Sequence, residues 1–220
     1  MPTNERSATV IEDLFSTMDD IVDAYDENAK RICGRVNGTS FFPGGVGLWR
    51  GLDPQGPILD DFPVRPIMFL GHNFDNEDGF NRSKHNRIEP MNTGTWKGQQ
   101  IYMDMADINP LDCLFTNFYT ALQPGSSVGE MLASDTLKEQ CTQFCEYQIE
   151  RTDPCLIAVM GKFVPDLFAN VKHSVHCIEI DHPAYPVRRG TVLGNPIFEH
   201  NANKLSKALE TVGYYPRKSQ

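Results

Sequence analysis

Residues 67–75 read IMFLGHNFD, and this stretch decides how the rest of the chain is interpreted. Four apolar residues run into Gly71, and the polar side chains of His72 and Asn73 follow at once. A short apolar run bounded by a glycine is typical of a buried strand. What a His-Asn pair does at the end of such a strand depends on what the other strands carry at their own ends.

Three further short apolar runs follow along the chain, and each leads into loop or helix residues. The four predicted strands are Pro66–Gly71, Cys113–Phe118, Leu156–Gly161 and Cys177–Asp181. The predicted helices of this part are about Thr95–Ala106, Ser134–Glu150, Lys162–Val171 and Asn201–Val212. Buried strands that alternate with helices indicate a parallel sheet covered on both faces. The sequence therefore predicts an α/β protein, a three-layer α-β-α sandwich with a central four-stranded parallel sheet.

The N-terminal part adds a helix and a loop to this core. Residues from about 7 to 35 have apolar side chains at helical spacing, among them Val10, Leu14 and Met18. Residues from about 37 to 60 are rich in glycine and proline, and their aromatic side chains favour a packed loop. We expect a single domain over residues 1–220, with its motif-bearing core at about 64–212.

Charge and cysteine usage exclude several classes of protein. The formal net charge of −9 argues against a broad surface for polyanions but leaves room for a local basic patch. No apolar run approaches the roughly 18 residues of a membrane helix, and the polar N-terminus is not a secretory signal. We therefore expect a cytoplasmic protein whose six cysteines are reduced. No Cys-x-x-Cys pair is present, and His173 and His176 lack further ligands, so no metal or cofactor is expected.

Polar side chains stand at the predicted strand ends. In open parallel sheets, ligands bind outside the carboxyl ends of the strands. Those ends carry His72-Asn73, Asn117, Gly161-Lys162 and Asp181-His182. Amide and imidazole groups make directional hydrogen bonds to a neutral planar ligand, whereas a phosphate site would need a P-loop, which the sequence lacks.

Three motifs at these ends resemble those of the uracil-DNA glycosylase superfamily. They read LGHNFD (70–75), LFTNFY (114–119) and DHPAYP (181–186), and they follow the order of that family over about residues 64–190. The resemblance implies a four-stranded parallel sheet between helices. It also implies a monofunctional hydrolase that removes uracil or another deaminated base from DNA.

The resemblance assigns roles to individual residues. Asn73 stands at the position that orients or activates water, and His182 at the position that stabilises charge on the leaving base. Asn117 matches the residue that hydrogen-bonds the base edge. Gly71 and His72 border this pocket. Phe80 or Phe74 would be the ring on which the base stacks, and Phe80 is preferred because Phe74 falls where the family usually has proline.

These residue types suit the chemistry of N-glycosidic cleavage. A donor placed at the base oxygen lowers the barrier by roughly 3–4 kcal/mol in a dry site. An amide offers one donor and one acceptor to a pyrimidine edge. A target base in a duplex must first be flipped out. The outer contacts to DNA are predicted to be Tyr185 as a wedge, Ser126 and Ser127 in the loop QPGSSVG, and Arg188 and Arg189 at phosphates.

Other interpretations of the same residues stay open. Asn73 could cap a turn, Asn117 could bond a neighbouring backbone group, and His182 could be a plain loop residue. The first motif lacks the proline that usually follows Asn73, and Ala184 replaces a common serine. These departures suit a non-catalytic nucleobase- or nucleotide-binding protein on the same fold. A different α/β hydrolase is a third possibility, but no Gly-x-Ser-x-Gly elbow is present.

Overall fold

The computed structural model describes residues 10, 12–20, 30–31, 63–74, 76–86, 93–122, 129–188 and 194–216. Residues 10 and 12–20 are helical and form α1, as the N-terminal spacing predicts. Lys30–Arg31 is a short strand, β1, so the predicted continuation of the helix to residue 35 is wrong at these two residues. The glycine- and proline-rich segment at about 37–60 lies outside the described residues.

The core consists of short strands and helices in alternation. In chain order they are β2 (Ile67–Asn73), α2 (Glu77–Asn86), α3 (Gly94–Met105), a 3-10 turn (Pro110–Asp112), β3 (Cys113–Tyr119), β4 (Ala121–Leu122), α4 (Gly129–Ala133), α5 (Asp135–Thr152), β5 (Leu156–Met160), α6 (Val164–Phe168), β6 (Cys177–Ile180), α7 (Ala184–Arg188) and α8 (Pro196–Val212). The four strands predicted from apolar runs are all present, with ends that differ by two residues or fewer. The helices α2, α4 and α7 were not predicted.

The four predicted strands form one sheet, in the order β3-β2-β5-β6, and every neighbouring pair is parallel. The first five residues of β2 and all of β3 and β5 are buried, because helices cover both faces of a parallel sheet. β1 and β4 pair separately in an antiparallel ladder. The predicted three-layer α-β-α sandwich is confirmed.

Two apolar cores lie on the two faces of the sheet. One contains residues of α1, α5 and α6, and Met68 and Leu70 of β2 point into it. The other contains residues of α3 and α8, and Ile67 and Phe69 of β2 point into it. This division follows from the alternation of side chains along a strand. An ion pair between Arg151 and Asp13 joins α5 to α1 at the first core.

Capping residues set the two ends of α8, and a bend in the chain sets the start of α6. α8 begins at Pro196, five residues before the predicted start at Asn201, because the Asn195 side chain accepts from the Ile197 N–H at 3.0 Å. The last residue of α8 is Val212, and the C-cap that follows it is Gly213, which has a φ of 68°. α6 is shorter than predicted at both ends, since the chain bends at residues 161–163 before it begins. None of the described helices is long and apolar enough to span a membrane.

Candidate functional site

The strand order places a topological switch point at the carboxyl ends of β2 and β5. The chain passes from β2 to β3 on one side of the sheet and then crosses to β5 on the other side. Ligands of open α/β sheets bind where the strand order reverses in this way. The residues that leave the two central strands, 71–74 and 161–163, are therefore the expected walls of a binding site.

The sheet brings together the polar strand ends predicted from the sequence. Across the sheet they follow in the order Asn117–Tyr119 at β3, His72–Asn73 at β2, Gly161–Phe163 after β5 and His182 after β6. Neighbouring strands lie about 4.8 Å apart, so the array extends over roughly 14 Å. The array combines amide, imidazole and aromatic side chains.

Asn117 occupies space that Gly71 leaves free. The two residues pair across β2 and β3, and Asn117 is almost completely buried. A Cβ atom at Gly71 would collide with Asn117 Oδ1 and would lie 3.6 Å from Met160 Cε. Glycine at position 71 is thus a requirement of close approach, and it gives the amide of Asn117 its place at the strand end.

His182 is held with a defined tautomer. The Ala184 N–H donates to His182 Nδ1 at 3.2 Å, so the neutral ring carries its proton on Nε2. The Tyr185 N–H donates to the His182 carbonyl at 2.8 Å. Gly161 has a φ of 91°, and a Cβ atom there would approach His182 Cβ to 3.2 Å. The loop after β5 and the loop after β6 therefore position a ring whose Nε2–H can donate to a ligand.

A network behind His182 fixes the end of β6. The Asn201 side chain accepts from the Asp181 N–H at 3.1 Å and donates to the Asp181 carboxylate at 3.0 Å. The Tyr102 hydroxyl donates to the Asp181 carbonyl at 3.3 Å, and burial, together with the Asp181 charge, raises the pKa of Tyr102. On α3, a Cβ atom at Gly98 would collide with the Pro183 carbonyl.

Sequence reasoning missed this supporting layer. Its members lie about 20 to 100 positions apart along the chain. No local pattern links Gly98, Tyr102 and Asn201 to the His182 motif, and the interactions arise only because α3 and α8 pack together beside β6.

His72 and Asn73 form a hydrogen-bonded pair at the end of β2. His72 Nδ1 lies 2.9 Å from Asn73 Oδ1, and because a carbonyl oxygen only accepts, His72 Nδ1 carries the proton. Burial lowers the pKa of His72 below its usual value of 6.5, partly offset by the bond to Asn73. The ring is therefore neutral at pH 7, and its Nε2 holds a lone pair.

Two aromatic residues that the sequence analysis did not select enclose the rest of the His72 ring. The Tyr119 ring meets it edge-on at a centroid distance of 5.3 Å, and the Phe163 ring lies 6.0 Å away. Tyr119 is fully buried and Phe163 is 52% exposed. His72 Nε2 and the Tyr119 hydroxyl are buried and have no hydrogen-bond partner in the described part of the chain. The sequence carried one signal for these two residues, because an aromatic stands two positions after Asn117 and another stands two positions after Gly161.

The two candidate stacking rings pack against each other. Phe80, on α2, is buried and contacts Leu122, while Phe74 packs on both and stays partly accessible. The Phe74 and Phe80 rings meet at 78° with centroids 5.3 Å apart. In this arrangement the ring of Phe74 is the more accessible of the two.

The predicted outer contacts are only partly within the described residues. Tyr185, on α7, is 42% exposed, as a wedge would need to be. Arg188 is the last residue of α7. Arg189, Ser126 and Ser127 lie outside the described part of the chain.

A separate groove of about 530 Å³ runs between β6 and α8 at the edge of the sheet. It is lined by His176, Ile178, Lys204 and Lys207, among others, and the Lys204 ammonium donates to the Glu179 carbonyl at 3.2 Å. Within the described residues, no three His, Cys, Asp or Glu side chains converge as metal ligands would. The groove contains none of the predicted site residues.

The array at the switch point thus combines Asn117 and Asn73 amides with a donor ring at His182 and an acceptor ring at His72. No protein-family model matches the chain, and no curated protein does so either. The chemistry of the site is therefore inferred from these side chains.

Proposed function

We propose that this protein is a hydrolase of the DNA-glycosylase type, which cleaves the N-glycosidic bond of uracil or another deaminated base. One observation carries the proposal. A buried amide at Asn117 and an imidazole donor at His182 stand at opposite ends of one row of strand ends, and His72 and Asn73 lie between them. These groups suit the binding of a planar polar base and of the water that takes the place of the base on the sugar carbon.

The recognition of the base would rest on Asn117 and His182. An amide side chain supplies a carbonyl acceptor for a pyrimidine N3–H and an N–H donor for its O4. His182 Nε2–H supplies a donor for the second oxygen of the base. Such a donor gains strength as negative charge develops on the departing base, by roughly 3–4 kcal/mol for one well-placed group.

The reaction breaks the bond between the sugar carbon and the base nitrogen, and the base leaves with the electron pair. Water then forms the new bond to the sugar carbon. Asn73 would help to orient this water from the end of β2, since an amide does so without readily taking its proton. A base within a duplex would be extruded first. Tyr185 is exposed where a wedge is needed, and Arg188 and Arg189 would contact phosphates.

The test is release of free base from labelled oligonucleotides that contain uracil, uracil opposite guanine, hypoxanthine or xanthine. The wild-type protein should release at least one of these bases, and Asn73→Ala and His182→Ala should each reduce the rate by about 100-fold or more. Asn203→Ala, at an exposed position of α8, is the matched control for Asn73→Ala. Rates in both site variants that equal the wild-type rate would contradict the proposal.

A second candidate is a nucleobase- or nucleotide-binding protein that does not cleave its ligand. The net charge of −9 favours it, because an acidic protein gains little from counterion release on DNA. Its signature would be tight binding of a free base by calorimetry, weakened by Asn117→Ala, without base release from any of the four oligonucleotides.

A further inference from the structure

The pair at the end of β2 has a property that the proposed role of Asn73 does not use. Asn73 Oδ1 accepts from His72 Nδ1 at 2.9 Å, which directs the opposite ring nitrogen, Nε2, away from Asn73. That nitrogen is buried, carries a lone pair and has no hydrogen-bond partner among the described residues. Buried polar atoms in native proteins almost always have a partner, so an exception calls for an explanation.

The neighbours of Nε2 suit a reacting group rather than a structural one. Tyr119 brings a second buried hydroxyl without a partner, and its ring meets the His72 ring edge-on. The Phe163 ring lies 6.0 Å from the His72 ring, and its side chain is half exposed. The two buried polar atoms without a partner among the described residues therefore belong to rings that contact each other on the α5–α6 side of the sheet.

We propose that His72 is the general base of the reaction, and that the Tyr119 hydroxyl holds the attacking water against His72 Nε2. This inference rests on the proposed function. The water oxygen forms the bond to the sugar carbon, and the bond from that carbon to the base nitrogen breaks. The base takes the electron pair, and the water proton passes to His72 Nε2. Asn73 Oδ1, which accepts from Nδ1–H, stabilises the imidazolium that results.

The charges around His72 allow this proton transfer. Tyr119 on β3 is the titratable group in ring contact with His72, and burial raises its pKa to about 12, so it stays neutral. The buried residues of α6 that face the sheet are apolar, and its acidic residue Asp166 is exposed. β5 contributes only apolar side chains. Because burial lowers the pKa of His72, the ring is ready to accept a proton at pH 7.

The experiment is single-turnover base release, measured from pH 5 to pH 9 on the substrate that the wild-type protein cleaves best. His72→Asn keeps a donor for Asn73 Oδ1 but removes the accepting nitrogen, and Tyr119→Phe removes only the hydroxyl. His72→Gln is the second variant if His72→Asn does not fold. His176→Asn, at an exposed position on the far edge of the sheet, is the matched control.

The wild-type rate should fall on the acid side of pH 6.5 and stay level above it. His72→Asn should lower the rate at pH 7.5 by about 100-fold or more and abolish the acid limb. Tyr119→Phe should lower the rate while keeping that limb. Base release by the wild-type protein with an unchanged rate and acid limb in His72→Asn overturns this inference alone. No release by the wild-type protein from any substrate overturns the proposed function, and this inference with it.

Discussion

Single atoms at the candidate site carry consequences that can be measured without knowing the substrate. The hydroxyl of Tyr119 is buried and unpaired within the described residues, and a buried polar group without a partner costs free energy of folding. Because the proposed water would satisfy this hydroxyl, Tyr119→Phe should lower the free energy of unfolding by about 1 kcal/mol, measured by urea denaturation. Tyr215→Phe, at an 86% exposed position, should leave it unchanged. A Tyr119→Phe protein that is more stable by a similar amount would show that the hydroxyl has no partner in solution.

His72 links stability to pH at the same scale. Burial lowers its pKa in the folded protein below 6.5, so the unfolded chain binds the proton more readily. The contribution of neutral His72 is fully present above pH 6.5 and is lost as the pH falls through its folded pKa. The free energy of unfolding of His72→Asn should thus rise relative to that of the wild-type protein as the pH falls from 7.5 to 5. Urea denaturation at each pH, with His176→Asn as the control, measures this; a constant difference would contradict it.

The sequence identified residues at strand ends but not their supporting contacts. Asn73, Asn117 and His182 stand out because each lies at or just after the end of an apolar run that is typical of a buried strand. Tyr119 and Asn201 do not stand out, since a tyrosine in a strand and an asparagine in a helix are ordinary. Their roles depend on which residues of distant elements reach them, and no local pattern contains that information.

At the scale of elements, the contact between α3 and the chain after β6 is the most sensitive to a single added atom. Gly98→Ala would place a methyl group against the Pro183 carbonyl. Although alanine favours a helix, this overpacking should lower the free energy of unfolding by about 1–3 kcal/mol and displace His182. Gly94→Ala, one turn earlier on α3, meets only atoms of Ala184, at 3.4–3.8 Å, which are ordinary van der Waals distances.

Urea denaturation and base release distinguish the two glycine variants. Gly98→Ala should be impaired in both measurements, whereas Gly94→Ala should resemble the wild-type protein. Equal stability and equal base release in the two variants would mean that α3 and Pro183 move apart to accommodate the methyl group without a loss of stability or activity.

Element boundaries show where periodicity stops being informative. The apolar spacing of α8 predicts its body but not its first turn, because Asn195 and Pro196 begin the helix through capping and a fixed φ rather than through a repeat of apolar side chains. Lys30 and Arg31 continue a helical pattern in sequence, yet they pair with β4. A partner strand about 90 residues away overrides the local preference there.

At the scale of the whole molecule, acidity and the proposed DNA substrate impose a specific salt dependence. If Arg188 and Arg189 each contact one phosphate, replacing both by alanine should reduce the slope of log K against log salt by about two. Lys204→Ala with Lys207→Ala changes the net charge equally, but at the groove between β6 and α8. Fluorescence anisotropy with a labelled oligonucleotide measures both slopes. Equal reductions in the two double variants would show that only total charge matters.

The layered architecture was the most predictable property of the chain. A parallel sheet covered on both faces requires continuous apolar strands, and continuous apolar runs are visible in any sequence. The face of the sheet on which each polar strand-end residue lies was not predictable. Asn117 lies beside the α3–α8 core and His72 beside the α5–α6 core, as alternation along β3 and β2 dictates only once the register of the two strands is known.

The attachment of Lys204 to the Glu179 carbonyl has a consequence for the protein at high concentration. β6 ends the sheet, and a free strand edge is a template on which extended segments of other molecules can add and grow into fibres. Lys204 occupies one backbone acceptor of this edge, and Asn201 occupies the next donor, the Asp181 N–H. α8 therefore covers two hydrogen-bonding positions of this edge, and fraying of α8 would leave both open to pairing with an extended segment of another molecule.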